Sequence, residues 1–304
     1  MTELLVLPIN KNMVDDIVDV ADGVILSPRE LSVNVPYQFF YDDVIALTRQ
    51  LKRENKKVFI NLNKNFNDDD LRRLKIFLLK IKQHLTGMVD GIFYYDIALV
   101  HLKEKNDLPF ELVWAQEHMT NNYLTCNYWY SKGVKYVQLS NELMLSEIKE
   151  IHEHTDMQLV YQVFGYIPMF TSKRPLLSNY IDTYQLYRQG KDYNLYKEEK
   201  YYPIVENRDG TVLYTPYMLN ALEEYMELRD SGVLRYAILN GYLLKHNVFK
   251  RIVGIFHGVN EKNVKELSLE IDQLCKYRTD KGFLYKETVY KVKDYGKEKN
   301  SEKA

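Results

Sequence analysis

The run KVFINLNKNFNDDDLRRLKIFLLKIK, Lys57–Lys82, holds one whole unit of this chain's organisation. Lys57–Asn61 is short, apolar and bounded by charge, as expected of a strand buried on both faces. Asp68–Lys82 then reads as a helix. Its acidic start and basic end suit the helix dipole, and Leu71, Leu74, Leu78 and Ile81 fall on one stripe. The same unit recurs at intervals of roughly 25–30 residues, the pattern of a parallel α/β sheet. The other strand candidates are Leu4–Ile9, Gly23–Ser27, Gly91–Tyr95, Glu111–Gln116, Tyr136–Ser140, Gln158–Phe164 and Arg235–Leu239. After Tyr136–Ser140, the run Ser140-Asn141-Glu142-Leu143 and the following SEIKEI read as the start of a helix. Eight strands fit the length of a TIM-type (β/α)8 barrel, typically ~250 residues. The rival is a doubly wound open sheet. No Gly-rich loop follows the first strand, which weakens a dinucleotide-binding version of it.

Beyond Phe164 the alternation breaks. A Tyr-rich stretch, NYIDTYQLYRQGKDYNLYKEEKYY, is followed by YPIVENRDGTVLYTP, which reads as a β-hairpin turning at Asn207, Asp209 and Gly210. Residues 165–214 are therefore expected to be an insertion between the last two barrel strands, capping the barrel's C-terminal face. The expected domain spans 1–278. An extension, 279–304, ends in the charged tail DYGKEKNSEKA, whose composition is that of a disordered segment.

Of the 304 residues, 46% are hydrophobic and 27% charged, with formal net charge −1. That is enough apolar material for a large core, and only a local patch could recruit nucleic acid. Two cysteines, Cys126 and Cys275, lie far apart without metal-ligand spacing, so no metal site is expected from this chain. No apolar run approaches the ~20 residues that span a bilayer, and the start lacks a signal-peptide pattern. A cytoplasmic protein without membrane contact is the expectation.

The segment VYQVFGYIPMFTSKRPLLSNY, Val160–Tyr180, resembles the signature of the U32 peptidase (collagenase-like) family. Gly165, Ile167, Leu177 and Ser178 match the signature, and Arg174, Leu176, Asn179 and Tyr180 match residues usual there. Both signature cysteines fall on proline, Pro168 and Pro175. The signature Glu, Phe and frequent His fall on Val160, Gln162 and Phe164. The similarity extends to ELLVLP, AQEHMTNN, VQLSNELMLSEIKEI, YYPIVENRDGT and GFLYKETVYKV, in matching order. Gln116, Thr120 and Asn121 match a Gln and a later Thr-Asn of the family. Near the last strand, the family's Arg-Ile-Glu-Gly-Arg is replaced by Ile238, Leu239, Asn240, Gly241 and Tyr242.

The resemblance implies a TIM-barrel-like domain with the signature insertion at its mouth. Many members are labelled peptidases. Others act on RNA, among them proteins of prephenate-dependent tRNA wobble-uridine hydroxylation. Those resemble iron–sulfur proteins, and a short cysteine-poor member often accompanies a cysteine-complete one. This chain resembles the short, accessory member. The implied partners are a cysteine-complete U32 paralogue and tRNA. The implied cofactors, prephenate and an iron–sulfur cluster, would come through the paralogue, with none bound by this chain alone. A peptidase or collagenase-like hydrolase is the alternative.

Candidate residues follow from strand ends and charge. Gln116, Glu117 and His118 come just after a strand, where barrel enzymes place chemistry; Glu117 and His118 are the acid/base candidates, against solvation and helix capping. Thr120, Asn121, Gly165, Arg174, Ser178, Asn179 and Asn240 are candidates for binding RNA, substrate or a partner. Arg174 offers a phosphate or carboxylate contact, against a loop-fixing ion pair. Ser178 is equally readable as a helix cap. In the Tyr-rich stretch, Arg188 and Lys191 alternate with tyrosines as in base-stacking surfaces, or else mark the outer face of an amphipathic helix. No Gly-x-Ser-x-Gly or His-Glu-x-x-His motif is present, so no known protease mechanism can be assembled.

Overall fold

The computed structural model describes residues 2–116, 119–188, 193–276 and 278–286. Seven parallel strands come first: β1 (Glu3–Leu7), β2 (Gly23–Leu26), β3 (Lys57–Leu62), β4 (Gly91–Tyr94), β5 (Leu112–Trp114), β6 (Tyr136–Gln138) and β7 (Gln158–Gly165). The chain then leaves the sheet and builds β8 (Pro168–Ser172), β9 (Tyr193–Lys197), β10 (Lys200–Asn207) and β11 (Gly210–Tyr214). After a short β12 (Met218–Asn220), β13 (Leu234–Asn240) pairs in parallel with both β7 and β1. That double pairing closes an eight-stranded parallel barrel, the expected (β/α)8 fold.

Helices α1 (Met13–Ile17), α2 (Tyr41–Arg53), α3 (Asp68–Leu85), α4 (Ala98–Lys105), α5 (Tyr123–Ser131) and α6 (Leu145–Glu153) connect the first seven strands. The helix read from Asp68 forms because Asn67 caps it, its side chain accepting the Asp70 N–H at 2.9 Å. Leu74, Phe77, Leu78, Ile81 and Leu85 form its buried face. Along each strand alternate residues face opposite ways. Leu4, Val6, Val58 and Ile60 pack outward against helices. Leu5, Ile25, Phe59, Phe93, Val160, Tyr236 and Ile238 fill the barrel interior. Phe59 sits at its centre, edge-on to Phe93 at 5.6 Å and to Tyr236 at 5.0 Å. Burying a side chain of that size stabilises by about 1.5–3 kcal/mol.

The insertion between β7 and β13 is an antiparallel sheet ordered β8-β11-β10-β9, with α7 (Leu176–Thr183) against it. Its β10–β11 hairpin turns at Asn207 to Gly210, as the Asn-Arg-Asp-Gly run indicates. The Tyr-rich stretch is not one helix: α7 is followed, after residues outside the described set, by the β9–β10 hairpin. Beyond β13 lie α9 (His246–Gly258) and α10 (Val264–Leu274), with α8 (Leu222–Asp230) before it. The segment from residue 279 begins with β14 (Thr279–Asp280), which pairs with β12. No helix among the described residues is long and apolar enough to cross a membrane.

Candidate functional site

Period-2 alternation decides what the barrel mouth presents. With Phe59, Val160, Tyr236 and Ile238 inward, Asn61, Gln162 and Asn240 come next on the inner face, and Gln138 follows Tyr136 likewise. All four line a cavity of about 60 Å³ at the C-terminal end of the barrel, beside Asn34, Asn63 and Tyr95, over a floor that includes Phe93 and Ile238. Pro168, the first residue of the inserted sheet, closes one side. Six carboxamides therefore stand where barrel enzymes carry chemistry. None of the residues lining this cavity is a carboxylate, amine, imidazole or thiol.

The amides are held in place by local bonds. Asn63 grips the loop after β2, accepting from the Val33 N–H at 2.9 Å and donating to the Val33 carbonyl at 2.9 Å. The Gln162 amide donates to the Tyr166 carbonyl at 3.2 Å, and Asn240 donates to Gln162 Oε1 at 3.5 Å. Asn240 Oδ1 accepts the Tyr242 N–H at 3.1 Å. Gln138 has no side-chain hydrogen bond to any described residue.

Gly165 explains the sharp exit of the chain from β7 into the cap. Its φ is +113°, and a Cβ there would lie 2.1 Å from the Asn240 carbonyl oxygen. Only glycine permits both the conformation and the approach. The signature glycine thus serves the backbone, bringing the ends of β7 and β13 together under the cap.

The cavity opens into a groove of about 830 Å³ between the barrel loops and the inserted sheet, and the two share Asn34, Asn63 and Tyr95. Gln116, Met119 and Phe170 line the groove. Ionic contacts tie its two walls together. Lys64, after β3, lies 3.2 Å from Asp70 and 3.8 Å from Asp209 in the hairpin turn. Glu30 is 3.6 Å from both Arg73 on α3 and Arg208 in the turn. Lys173 reaches the Asn65 carbonyl at 3.1 Å. Lys64, Asp70 and Asp209 are mostly withdrawn from solvent, so these contacts are screened less than open surface pairs.

A second buried-polar knot holds α7. The Glu206 carboxylate accepts the Leu177 N–H at 2.8 Å, the Ser178 N–H at 3.2 Å and the Thr211 hydroxyl at 2.9 Å, and also binds the Ser178 hydroxyl. Partial burial opposes its ionisation. The hydrogen bonds from Ser178, Thr211 and Leu177 outweigh that and hold it below the usual glutamate value.

The sequence candidates fall in three places. Gln116 and Asn240 line the groove and the cavity respectively. Thr120 is buried and its carbonyl accepts the Ser140 N–H at 2.9 Å, while Asn121 is exposed and accepts from Asn122, the cap of α5. Arg174, Ser178, Asn179 and Arg188 belong to the cap. Ser178 is engaged by Glu206, Arg188 pairs with Asp182 at 3.0 Å, and the exposed Asn179 donates its N–H to the Pro175 carbonyl. Glu117, His118 and Lys191 lie outside the described residues. Asn61, Gln138 and Gln162 were not among the candidates; reading strand parity inward from Phe59 and Val160 would have found them.

The two cysteines lie in the core between sheet and helices, Cys126 on α5 and Cys275 at the end of α10. Burial pushes both thiols up to about 12. No group of three or more His, Cys, Asp or Glu side chains among the described residues could hold a metal ion.

This architecture is a (β/α)8 barrel whose mouth is covered by a sheet inserted before its last strand. The sequence profile described as Peptidase family U32 matches residues 11–293, and the chain belongs to that family. It is 27% identical over 309 residues to tRNA hydroxylation protein P2 of Bacillus subtilis (strain 168), covering 95% of this chain and 99% of that protein. It is 20% identical over 293 residues to tRNA hydroxylation protein P1 of the same organism, covering 91% of this chain and 69% of that protein. P1 and P2 are thus separate proteins of one organism. The solved structure of the U32 peptidase Mk0906 superposes with a TM-score of 0.51 at 14% identity, over 79% of this chain and 92% of that one, a likeness of fold.

Proposed function

We propose that this chain is the short, accessory member of a tRNA-hydroxylating pair, supporting 5-hydroxylation of wobble uridine together with a cysteine-complete U32 paralogue. The observation that carries the reading is a barrel mouth lined by carboxamides in a chain similar end to end to a protein named for tRNA hydroxylation. Carboxamides bind and orient; they do not shuttle protons near neutral pH.

An iron–sulfur cluster does not fit this chain. Its signature cysteine positions are Pro168 and Pro175, and its two thiols lie in the core between sheet and helices, away from the mouth. The cluster and prephenate belong to the paralogue in this proposal. Among the described residues of the mouth there is no nucleophile–base pair to support the peptidase alternative.

The cap is the surface offered to partners. Phe170, Tyr180, Tyr184, Tyr187, Tyr196 and Tyr201 are exposed on it, a concentration of large apolar surface of the kind that marks interfaces. Mass spectrometry of wobble uridines in tRNA from a strain lacking this gene tests the function. Loss of 5-hydroxylation, restored by the wild-type gene, is expected. Unchanged hydroxylation would remove the assignment.

A further inference from the structure

We infer that the outer edge of the cap, strand β9, is a self-association surface. Two copies of this chain pair their β9 strands antiparallel about a two-fold axis at Leu195, joining two four-stranded cap sheets into one. The inference goes beyond the tRNA reading and does not rest on it.

The two edges of the cap sheet differ. β8 lies against the barrel loops, with Thr171 3.5 Å from Asn34, and its pairing with β11 is interrupted between Leu213 and Tyr214. β9 faces away. Every residue from Asn194 to Tyr201 is exposed, so the β9–β10 hairpin stands clear of the barrel. Its ladder is regular from Tyr193 opposite Ile204 to Lys197 opposite Lys200. The two-residue turn, Glu198 and Glu199 at positive φ, makes Lys197 and Lys200 a hydrogen-bonded pair. Alternation then directs the backbone groups of Tyr193 and Leu195 toward β10 and those of Asn194 and Tyr196 outward. Pro203, which has no N–H to give, sits opposite Asn194, as that parity requires. The outward N–H and C=O groups of Asn194 and Tyr196 have no partner among the described residues.

An uncovered edge is a template for another strand, and natural edges are blunted by lysine, proline, bulges or a covering segment. β9 has neither proline nor bulge, its lysine stands at the turn, and Leu195 and Tyr196 are exposed in its middle. The strand is also complementary to itself. Laid antiparallel with Leu195 on the axis, Asn194 meets Tyr196 of the second copy and Tyr196 meets its Asn194. All the outward groups then pair, in four hydrogen bonds. Leu195 packs on its own copy, and Lys197 falls beside Tyr193 of the second copy, so no like charges face each other. The neighbouring registers do worse. Centring on Asn194 sets Tyr196 beyond the start of β9, and centring on Tyr196 sets Asn194 against Glu198 of the turn. Helix α7, with its exposed Tyr180 and Tyr184, packs on β10 and β11 and so stays available to a different partner.

A strand pair is a small interface, so micromolar dissociation is expected, and sedimentation of the full chain between about 1 and 100 μM should show monomer giving way to dimer. Asn194→Pro takes one outward N–H from each strand and no bond to β10. It should weaken the dimer about ten-fold or more, through two lost hydrogen bonds per pair. Leu195→Cys should form an intermolecular disulfide on mild oxidation, because facing Cα atoms in such a pair lie ~4.5 Å apart. Tyr193→Cys should not, since Lys197 stands opposite it. The natural cysteines, Cys126 and Cys275, are buried and do not compete. A chain monomeric up to ~100 μM, a dimer indifferent to Asn194→Pro, or equal crosslinking of Tyr193→Cys and Leu195→Cys would overturn the inference. So would a chain monomeric alone that loses its paralogue in Asn194→Pro, a result that assigns the edge to the paralogue instead.

Discussion

Replacing Gly165 by alanine tests whether the family signature is retained here for backbone shape. At φ +113° a non-glycine residue carries strain of about 1–3 kcal/mol. Its Cβ would also sit 2.1 Å from the Asn240 carbonyl, which no side-chain rotation can relieve. Pushing β7 and β13 apart to make room resembles overpacking a core, another 1–3 kcal/mol or so. Gly165→Ala should therefore lose about 4 kcal/mol, read as a lowered urea midpoint with unchanged slope, and about 10 °C in Tm. Gly254→Ala is the control. Gly254 lies inside α9, where a Cβ would meet nothing within 4 Å, so alanine there should be neutral or stabilise by up to ~1 kcal/mol. A loss below about 1 kcal/mol for Gly165→Ala would refute the argument that this glycine holds the seam between barrel and cap.

Glu206 makes α7 pH-sensitive. Its native pKa is lowered, so its contribution is fully present above the usual value of 4.5 and is lost as pH falls through the lower native value. Amide exchange in Leu176–Thr183 should accelerate selectively as pH drops below about 4.5, and Glu206→Gln should remove that dependence. Asp209→Asn removes one side of the ionic tie to Lys64 and should cost about 1 kcal/mol, seen as faster proteolysis within the cap and a weaker response to salt. Combining Arg174→Ala, Arg188→Ala and Lys191→Ala should shift stability by under ~0.5 kcal/mol per site while reducing co-purification of the paralogue; unchanged co-purification and unchanged tRNA hydroxylation would remove the cap from the interface.

The barrel was legible because strands buried on both faces read as continuous apolar runs, and the acidic-to-basic helix from Asp68 punctuates them. The β10–β11 hairpin was legible because Asn207, Asp209 and Gly210 carry ordinary turn chemistry. The β9–β10 hairpin was not. Its turn is made by Glu198 and Glu199 at φ +51° and +59°, conformations that glutamate does not advertise, so the lysines and tyrosines around it read equally well as a helix. Site residues divide along similar lines. Asn240 was visible as a strand end and as the replacement of a family Glu. Asn61, Gln138 and Gln162 each look like an unremarked amide near a strand end. They become a site only once closure turns one face of every strand toward a common axis.

Closure has a consequence for the order in which this molecule can be made. β1 pairs with β13, Glu3 beside Tyr236, so the final seam joins segments from opposite ends of the barrel sequence. The cap lies between β7 and β13, and every pairing within it is local by comparison. Local contacts form before distant ones, because less chain entropy is lost in closing them. Sequence separation therefore favours closure of the cap hairpins ahead of the β1–β13 seam. β13 is then the strand that completes the barrel, pairing with both β7 and β1.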